Sequence, residues 1–304
     1  MAEKIQITFL GTSSAVPTVS RNHTAIWIKY KYENILIDCG EGTQRQIRKA
    51  KINPCKITRM LITHLHGDHV FGIPGLFQTL NLNNYNKTLE IYGPKPIKEF
   101  IKNIFKTFIA TKFIKIKTNV NEINSEKVFE TKDFKITSLP LQHGTATLGY
   151  VFQEKDKLRI NKQKLEAVLK KIKISPEDRK KLSQLTLAKN IKISNKALNY
   201  KTLTYLEKGR KIAIILDTKF CANAFKLAKD SDIAIIEATT MEKTKYLHLT
   251  AEEAAKIAKQ SKAKELILTH ISQRYEFKEK ELEADAKKIF PNTKVAKDFM
   301  IIEI

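Results

Sequence analysis

The stretch Leu61–His69 contains the densest group of potential metal ligands in the chain. His64, His66 and His69 are accompanied by Asp68, which places three imidazoles and a carboxylate within six positions. Imidazole nitrogen and carboxylate oxygen are the usual ligands of borderline divalent metals such as zinc. A polar turn that is merely rich in histidine is the alternative, but this number of ligands at this spacing favours a metal site.

Apolar runs on both sides indicate how this group is positioned. Arg59–Ile62 has the pattern of a buried strand and Val70–Ile73 that of a helix, so the histidines lie in a loop at the end of a strand. Other polar residues close further predicted strands: Asp38, Asp217, Glu237 and His270. His143 lies where another strand gives way to a glycine-containing loop. Because the carboxyl ends of adjacent strands meet in one crevice of an open α/β sheet, we expect these side chains to converge.

Seven of these residues form the candidate ligand set: His64, His66, Asp68, His69, His143, Asp217 and His270. The set is too large for one tetrahedral zinc ion. It suits two metals about 3.5–4 Å apart that share a carboxylate and a water, and Asp217 could be the carboxylate that bridges them.

The rest of the chain is predicted to alternate strands and helices. It opens with a meander of three strands at Lys4–Leu10, Thr24–Tyr30 and Asn34–Asp38. From Lys211 onward, apolar strands and helices alternate again, and Thr250–Glu253 has the capping-box pattern that begins a helix. A chain of 304 residues with 42% hydrophobic residues is expected to form one large globular domain or two ordinary ones.

Two further features concern the cellular compartment. No uninterrupted apolar run approaches the ~20 residues of a membrane helix, and the first residues lack a signal-peptide pattern, so we expect a cytoplasmic protein. The cysteines Cys39, Cys55 and Cys221 are widely spaced and include no C-x-x-C pair. They indicate neither a disulfide framework nor a thiolate metal site.

Charge is the strongest compositional signal. The chain has 55 lysines and arginines against 32 acidic residues, a net charge of +23. The stretch from Lys155 to Lys211 alone holds 18 basic and five acidic residues, and Ser175–Pro176 begins a helix within it. We predict a basic, helical insertion that contacts nucleic acid, because each phosphate that is neutralised releases condensed counterions. A lysine-rich compositional bias with a merely solvated face is the alternative.

The ordered ligand motifs resemble those of metallo-β-lactamase-fold hydrolases: H-x-H-x-D-H from His64, a later histidine, an aspartate that closes a strand, and a final histidine that closes another. The surrounding sequences are similar to the ribonuclease Z family, notably I-D-C-G-E-G-T-Q-R-Q (Ile37–Gln46), E-A-T (Glu237–Thr239) and L-T-H-I-S-Q-R-Y (Leu268–Tyr275). These resemblances span nearly the whole chain.

The resemblance implies a fold and an activity. The fold is α/β, a four-layer αββα sandwich in a single domain of residues 1–304, with an inserted basic, mainly helical arm at residues 154–208 that binds substrate. The activity is that of a zinc-dependent endoribonuclease that removes the 3′ trailer from precursor tRNA, leaving a tRNA 3′-hydroxyl and a trailer 5′-phosphate. Family members commonly form homodimers. The alternatives are a dinuclear metallo-hydrolase of small phosphodiesters or other esters, and a non-catalytic tRNA-binding protein that kept the fold.

The resemblance also implies a role for each site residue, with two Zn²⁺ per subunit or other divalent metals in their place. The first zinc would be held by His64, His66 and His143, the second by Asp68, His69 and His270, with Asp217 bridging. Asp68 would accept a proton from the attacking water, His248 and Glu237 would protonate the departing oxygen, and Asp38 would support the ligands. Glu237 could instead only support the site, and His248 could be an ordinary loop histidine.

The residues predicted to contact RNA are basic: Arg21, Arg274, Lys170, Lys171, Arg179, Lys180 and Lys181. Arg21 and Arg274 could instead be ordinary surface or salt-bridge arginines. The chain departs from the family pattern at Leu216 and Ile236, which replace a glycine and a histidine, and neither change removes a ligand. The arm lacks the Gly-Pro-rich stretch that is usual in the family, which leaves its conformation open.

Overall fold

Alternating apolar residues build two seven-stranded sheets, which account for most of the fold. The computed structural model describes residues 3–108, 113, 115–123, 126–170, 172, 174–193, 196–242 and 247–304. The chain divides into two units, the first formed by Met1–Glu130, Ile136–Phe152 and Lys211–Ile304, and the second by Thr131–Lys135 and Gln153–Arg210. Within the described ranges, no helix is both long enough and apolar enough to cross a membrane.

The first sheet has the strand order β18-β1-β2-β3-β4-β5-β6. Its strands are β1 (Ile5–Gly11), β2 (Ala25–Tyr30), β3 (Glu33–Ile37), β4 (Arg59–Leu61), β5 (Thr88–Gly93), β6 (Lys117–Glu122) and β18 (Ile301–Glu303). β1, β2 and β3 pair antiparallel, which confirms the predicted meander, and β3 to β6 pair parallel. The pairing of β18 with β1 is not predicted by the sequence, because a strand of 3 residues carries no sign of its partner.

The second sheet has the strand order β17-β16-β15-β14-β9-β8-β7. Its strands are β7 (Lys127–Glu130), β8 (Phe134–Gln142), β9 (Ala146–Glu154), β14 (Lys211–Ile215), β15 (Ile233–Glu237), β16 (Glu265–Thr269) and β17 (Thr293–Val295). β14 to β17 pair parallel, so these strands end at the same edge of the sheet. The predicted α/β alternation after Lys211 is confirmed here.

Helices cover the outer face of each sheet. The helices against the first sheet are α1 (Thr43–Lys49), α2 (Gly67–Val70), α3 (Ile73–Leu82) and α4 (Ile97–Thr107), and those against the second are α8 (Ala222–Ala228), α9 (Ala251–Gln260) and α10 (Glu279–Lys287). Thr250 and Glu253 form the predicted capping box at the start of α9. On β14, Ala213 and Ile215 pack in the helix-facing cluster, whereas the equally buried Ile212 and Ile214 alternate to the other face.

The two sheets also contact each other. Tyr30 of β2 packs edge-on against Phe152 of β9, with 5.5 Å between ring centroids. The fully buried Tyr150 of β9 donates a hydrogen bond from its hydroxyl to the carbonyl of Ile62, at 2.7 Å. Helix, sheet, sheet and helix therefore follow one another as the four predicted layers, and the last contact fixes the backbone that leads into the histidine loop.

The second unit has an apolar cluster of its own, formed by Leu165, Leu185, Ile191, Ile193, Leu198 and Leu203. Its elements are β10 (Lys157–Ile160), α5 (Lys162–Leu169), α6 (Pro176–Lys181), β11 (Ile191–Ile193), β12 (Lys196–Leu198), α7 (Tyr200–Leu203) and β13 (Thr204–Glu207), with a 3₁₀ helix at Leu182–Leu187. Ser175 caps α6 as predicted. β10 pairs with β13 and β11 with β12, so this unit adds two small sheets that the sequence does not predict.

Candidate metal centre

The predicted ligands and the supporting Asp38 lie at or just beyond the carboxyl ends of strands, or in the short helix α2. Asp38, His143 and His270 follow β3, β8 and β16 directly, and Asp217 is two residues beyond β14. Asp38, Asp217 and His270 have left-handed backbones, with φ of 55°, 38° and 58°. Such a conformation costs a side-chain-bearing residue of order 1–3 kcal/mol and persists where the surrounding fold fixes it, which is common at functional sites.

Three imidazoles form the first group. Nε2 of His64 lies 3.0 Å from Nδ1 of His66, which in turn lies 3.2 Å from Nε2 of His143. The three ligand atoms all fall within 4.8 Å of one another. His64 is fully buried, whereas His66 and His143 reach the surface. The arrangement brings together three predicted ligands from two different sheets.

Asp68, His69 and His270 form the second group. Nε2 of His69 lies 3.3 Å from Nε2 of His270, and Oδ2 of Asp68 lies 3.3 Å from the first of these nitrogens and 3.5 Å from the second. His69 and His270 are buried, and Asp68 is partly exposed. This group therefore has one open side, where the carboxylate lies.

The carboxylate of Asp217 lies between the two groups. Its Oδ1 is 3.3 Å from Nε2 of His69 and 3.2 Å from Nε2 of His270. Its Oδ2 is 3.7 Å from Nε2 of His64 and 3.8 Å from Nε2 of His143. Oδ1 is buried and has no hydrogen-bond partner among the described residues. A cation would satisfy this oxygen, and an imidazole–carboxylate donor set is the one that zinc prefers, so the residues fit divalent metal ions.

In four of the ligand histidines, the ring nitrogen that faces away from the centre is held by a neighbour. Nδ1 of His69 lies 2.6 Å from Oδ2 of Asp38, and Nδ1 of His64 lies 3.1 Å from Oγ1 of Thr63. The partners of His143 and His270 are the carbonyl of Leu247 at 3.1 Å and Oγ1 of Thr239 at 2.9 Å. These contacts fix each ring so that Nε2 is presented to the centre.

The pKa values follow from burial and from the facing charges. Burial and the neighbouring His69 lower the pKa of His64 to about 2, which keeps its imidazole in the neutral form that binds metal. Burial raises the pKa of Asp217, but the histidines that face it outweigh this effect and hold that pKa well below its usual range. Burial lowers the pKa of His69, but the facing Asp217 and Asp38 raise it by more, so that this pKa lies well above its usual value. A proton and a metal cation therefore compete for this ring.

Glu237 and His248 lie beside this centre as a hydrogen-bonded pair. Oε2 of the fully buried Glu237 lies 3.0 Å from Nδ1 of His248, and its Oε1 accepts a hydrogen bond from the backbone N–H of Thr218 at 2.6 Å. Burial lowers the pKa of His248, but the hydrogen bond and charge of Glu237 raise it to about 9. The ring is therefore charged at neutral pH and is held in one orientation by a carboxylate.

A cavity of about 530 Å³ opens over the centre. Six of the residues discussed above line it: His66, Asp68, His143, Asp217, His248 and His270. The opposite rim contains Ser14, Ala15 and Val16 from the loop after β1, and Gln273 and Arg274 from the segment after β16. The cavity can therefore admit a substrate to both histidine groups and to His248.

The predicted RNA contacts do not all lie at the surface. Arg21 is a correction to the prediction, because its side chain is 3% exposed and is used inside the fold. It donates to Oγ1 of Thr12 and to the carbonyl of Ala296, both at 2.7 Å, and pairs with Glu279 at 3.1 Å. By contrast, Arg274 is exposed and lines the cavity.

The remaining predicted RNA contacts belong to the second unit. Lys170 directly follows α5, and Arg179, Lys180 and Lys181 form the last turn of α6. Lys181 pairs with Asp178 at 2.9 Å. Lys171 lies outside the described residues.

Thr63 and Thr239 are functional residues that the sequence does not single out. The hydroxyl of Thr63 donates to Asp38 at 2.7 Å and also lies near Nδ1 of His64. Thr63 therefore contacts both a ligand, His64, and the residue that supports another ligand, His69. Thr239 contacts His270, Glu237 and His248. In the sequence, Thr239 could be identified only as part of the E-A-T motif. Thr63 could be identified only because it precedes His64.

Comparison with known proteins gives both near-complete and partial matches. The chain is 39% identical over 306 residues to the ribonuclease Z of Methanothermobacter thermautotrophicus, covering 99% of this chain and 97% of that protein. It is 38% identical over 319 residues to the ribonuclease Z of Enterococcus faecalis, with coverage of 99% and 97%. A family model described as Anti-Pycsar protein Apyc1 matches residues 5–160, a stretch that ends before Asp217, His248 and His270.

Solved structures agree with these matches. The short form of human tRNase Z has a TM-score of 0.67, 28% identity and coverage of 98% of both chains. The metallo-β-lactamase-fold protein YhfI from Bacillus subtilis has a TM-score of 0.69 with 18% identity, and coverage is 100% of both chains.

Fold and site together define a metallo-β-lactamase-fold protein, with two sheets between helices and histidine and aspartate ligands at the strand ends. The amino-terminal half also falls in the Apyc1 family, by the match to residues 5–160. The relatives that match nearly the whole chain decide between these descriptions, and the chain belongs to the ribonuclease Z family.

Proposed function

We propose that this protein is a zinc-dependent endoribonuclease that removes the 3′ trailer from precursor tRNA. Cleavage leaves a tRNA 3′-hydroxyl and a trailer 5′-phosphate. The observation that carries the proposal is the position of Asp217 between two groups of ligands, in a chain that matches ribonuclease Z relatives over nearly its whole length.

Two Zn²⁺ ions would be held by the ligand set. The first would take His64, His66 and His143, the second Asp68, His69 and His270, and Asp217 would bridge. When bound, the metals would supply Lewis-acid chemistry, because they stabilise charge on phosphoryl oxygens and lower the pKa of a water towards neutrality. The buried Oδ1 of Asp217, which lacks a hydrogen-bond partner in the described part of the chain, supports this assignment.

The protein's own groups would move the protons. Asp68 lines the cavity, and hydrogen bonds from His270 and His69 outweigh its burial and hold its pKa well below the usual range. Asp68 is therefore ionised but a weak base, so it would accept the proton only from a water that the bound metals have made acidic. Glu237 binds Nδ1 of His248, which leaves Nε2 of that ring to donate a proton to the departing ribose oxygen.

Substrate binding would use the basic residues at the surface. The second unit would serve as the RNA-binding arm through Lys170, which follows α5, through Arg179, Lys180 and Lys181 of α6, and through Lys171. Arg274 would contact a phosphate near the scissile bond, since it is exposed at the rim of the cavity. The family resemblance extends the proposal to a homodimer that acts in the cytoplasm.

A cleavage assay with mapped product ends tests the proposal. Purified protein loaded with zinc should cut a 3′-extended tRNA just after the discriminator nucleotide, and a chelator should stop the reaction. The substrate assignment would fail if the same preparation hydrolysed a small phosphodiester but left the extended tRNA intact.

Asp68→Ala separates chemistry from binding. We expect cleavage to fall by at least about two orders of magnitude, because general acid–base contributions are typically of that size. Binding of precursor tRNA should keep its salt dependence, because the basic residues are unchanged. Filter binding and single-turnover cleavage measure the two quantities, and cleavage equal to that of the unaltered protein would contradict the role given to Asp68.

A further inference from the structure

Two strongly exposed apolar side chains lie on adjoining segments at the rim of the cavity. Val19 is fully exposed and Phe277 is 81% exposed. The two segments are joined by Ser20, whose backbone N–H and hydroxyl both donate to Oε1 of Glu276, at 3.3 and 3.0 Å. Each segment also supplies cavity-lining residues, including Val16 on one side and Arg274 on the other. Val19 and Phe277 therefore each lie three residues along the chain from a cavity-lining residue, one on each of the two joined segments.

The backbone holds Phe277 outward. Its φ is 66°, in the left-handed region that a phenylalanine rarely adopts. The flanking residues are fixed, since the backbone N–H of Lys278 donates to the carbonyl of Tyr275 at 2.9 Å and the Tyr275 hydroxyl accepts from the backbone N–H of Met241 at 3.2 Å. An exposed aromatic ring on a strained, anchored turn is unexplained by packing, which makes it a candidate for binding.

The surroundings indicate what would cover this ring. The protein has a net charge of +23, which favours a polyanion, and the exposed guanidinium of Arg274 lies at the rim three residues before Phe277. A single strand of RNA entering the cavity would bring a phosphate to the arginine and a base beside it. Aromatic rings stack on bases of any sequence, because every base has a π face.

We propose that Phe277, flanked by Val19, is a substrate-binding residue that stacks on one nucleobase next to the scissile phosphate. The inference rests on the proposed function, since it names a contact for the RNA of that reaction. It assigns the phosphate to Arg274 and the base to Phe277, so the two residues would together hold one nucleotide at the mouth of the cavity.

The test compares Phe277→Ala and Phe277→Trp with the unaltered protein on a series of precursor tRNAs. Each RNA lacks one base at one of the nucleotides that flank the cleavage site. On the intact precursor, Phe277→Ala should lower kcat/KM about 5- to 100-fold, mainly through KM, because stacking on one base has an effect of that size. Phe277→Trp should keep most of the activity. With the one RNA that lacks the stacked base, Phe277→Ala should cause no further loss.

Tyr32→Ala is the matched control, because Tyr32 is 93% exposed on the turn between β2 and β3 and does not line the cavity. Its kcat/KM should be unchanged. The inference is overturned if Phe277→Ala lowers kcat/KM by the same factor on every RNA, or if it changes the oligomeric state seen by light scattering, which would make the ring a subunit contact. Failure of the unaltered protein to cut the intact precursor would overturn the proposed function, and the inference with it.

Discussion

At the scale of single residues, four of the five ligand imidazoles present one nitrogen to the centre and are held in place through the other. The sequence predicts the ligands themselves, because a run of histidines with an aspartate at this spacing is rare outside metal sites. It does not predict Thr63 or Thr239, because a threonine beside a ligand is an ordinary residue until the fold turns its hydroxyl towards a particular ring. Arg21 is the opposite case. Its place in a polar loop predicts an exposed side chain, but the C-terminal segment covers it.

The supporting role of Asp38 can be tested by a single substitution. It accepts from the backbone and hydroxyl of Thr63, at 2.7 Å each, and holds Nδ1 of His69 at 2.6 Å. Asp38→Asn removes the charge that orients this ring, so metal affinity should fall about 10- to 100-fold. Competition with a chromophoric chelator measures it. Asp298→Asn is the matched control, because this partly buried carboxylate contacts Thr12 and Gln46 but, in the described part of the chain, none of the proposed ligands. Equal affinities for both variants would contradict the role of Asp38.

Tyr85 gives a prediction for alkaline pH. Its buried hydroxyl donates to the carbonyl of Ile57 at 3.0 Å, and burial raises its pKa from 10.0 to about 12. A raised pKa means that folding favours the neutral phenol, so its contribution is complete below pH 10 and is lost as the pH rises towards 12. Tyr85→Phe should lower the free energy of unfolding by about 1 kcal/mol at pH 8. In urea titrations, this deficit should shrink above pH 10; a constant deficit would contradict the prediction.

At the scale of elements, strand ends bring the ligands together, and close contacts between loops set their positions. A Cβ added to Gly40, just after β3, would lie 2.3 Å from the backbone carbonyl oxygen of Asp68 and 2.5 Å from Cβ of His23. The loop after β3 is thus pressed directly against the helix that carries Asp68 and His69. Glycine is needed at this point for the approach of two backbones, and not for a special φ.

Gly40→Ala should therefore displace α2 and weaken the centre. We expect lower metal affinity together with a stability loss of about 1–3 kcal/mol, which is typical of overpacking. Gly144→Ala is the control, because Gly144 lines the cavity over the centre but its added Cβ would have nothing within 4 Å. Thermal unfolding with and without zinc measures both effects. If the two variants behaved alike, the close contact at Gly40 would not determine the position of the ligands.

Predictability differs among elements for a physical reason. Strands β14, β15 and β16 are continuous apolar runs, and α9 begins with a capping box, so local sequence is sufficient to find them. The small sheets of the second unit are built from strands of 3 or 4 residues, and one of them pairs residues far apart in the chain, such as Lys157 with Glu207. Alternation over so few residues does not differ from chance, and it contains no information about the partner strand.

At the scale of the whole molecule, chemistry and charge are concentrated in different parts of the chain. The candidate ligands all belong to the first unit, whereas the stretch from Lys155 to Lys211 holds 18 of the 55 basic residues. Chemistry on phosphorus needs the ligands, but selection of a long polyanion needs many distributed contacts. The family resemblance extends over both parts, which supports a common substrate for them.

Salt dependence tests this division of roles. Lys180 and Lys181 lie in the last turn of α6, and Lys98 and Lys102 are exposed on α4 of the first unit. Replacing the first pair by alanine should lower kcat/KM for precursor tRNA and reduce the slope of log kcat/KM against log salt by up to about two, because each lost phosphate contact contributes about 0.9. Replacing the second pair should leave the slope unchanged, and neither change should affect hydrolysis of a small phosphodiester. Equal slopes for the two double variants would mean that the net charge of the protein, and not the second unit, steers the RNA.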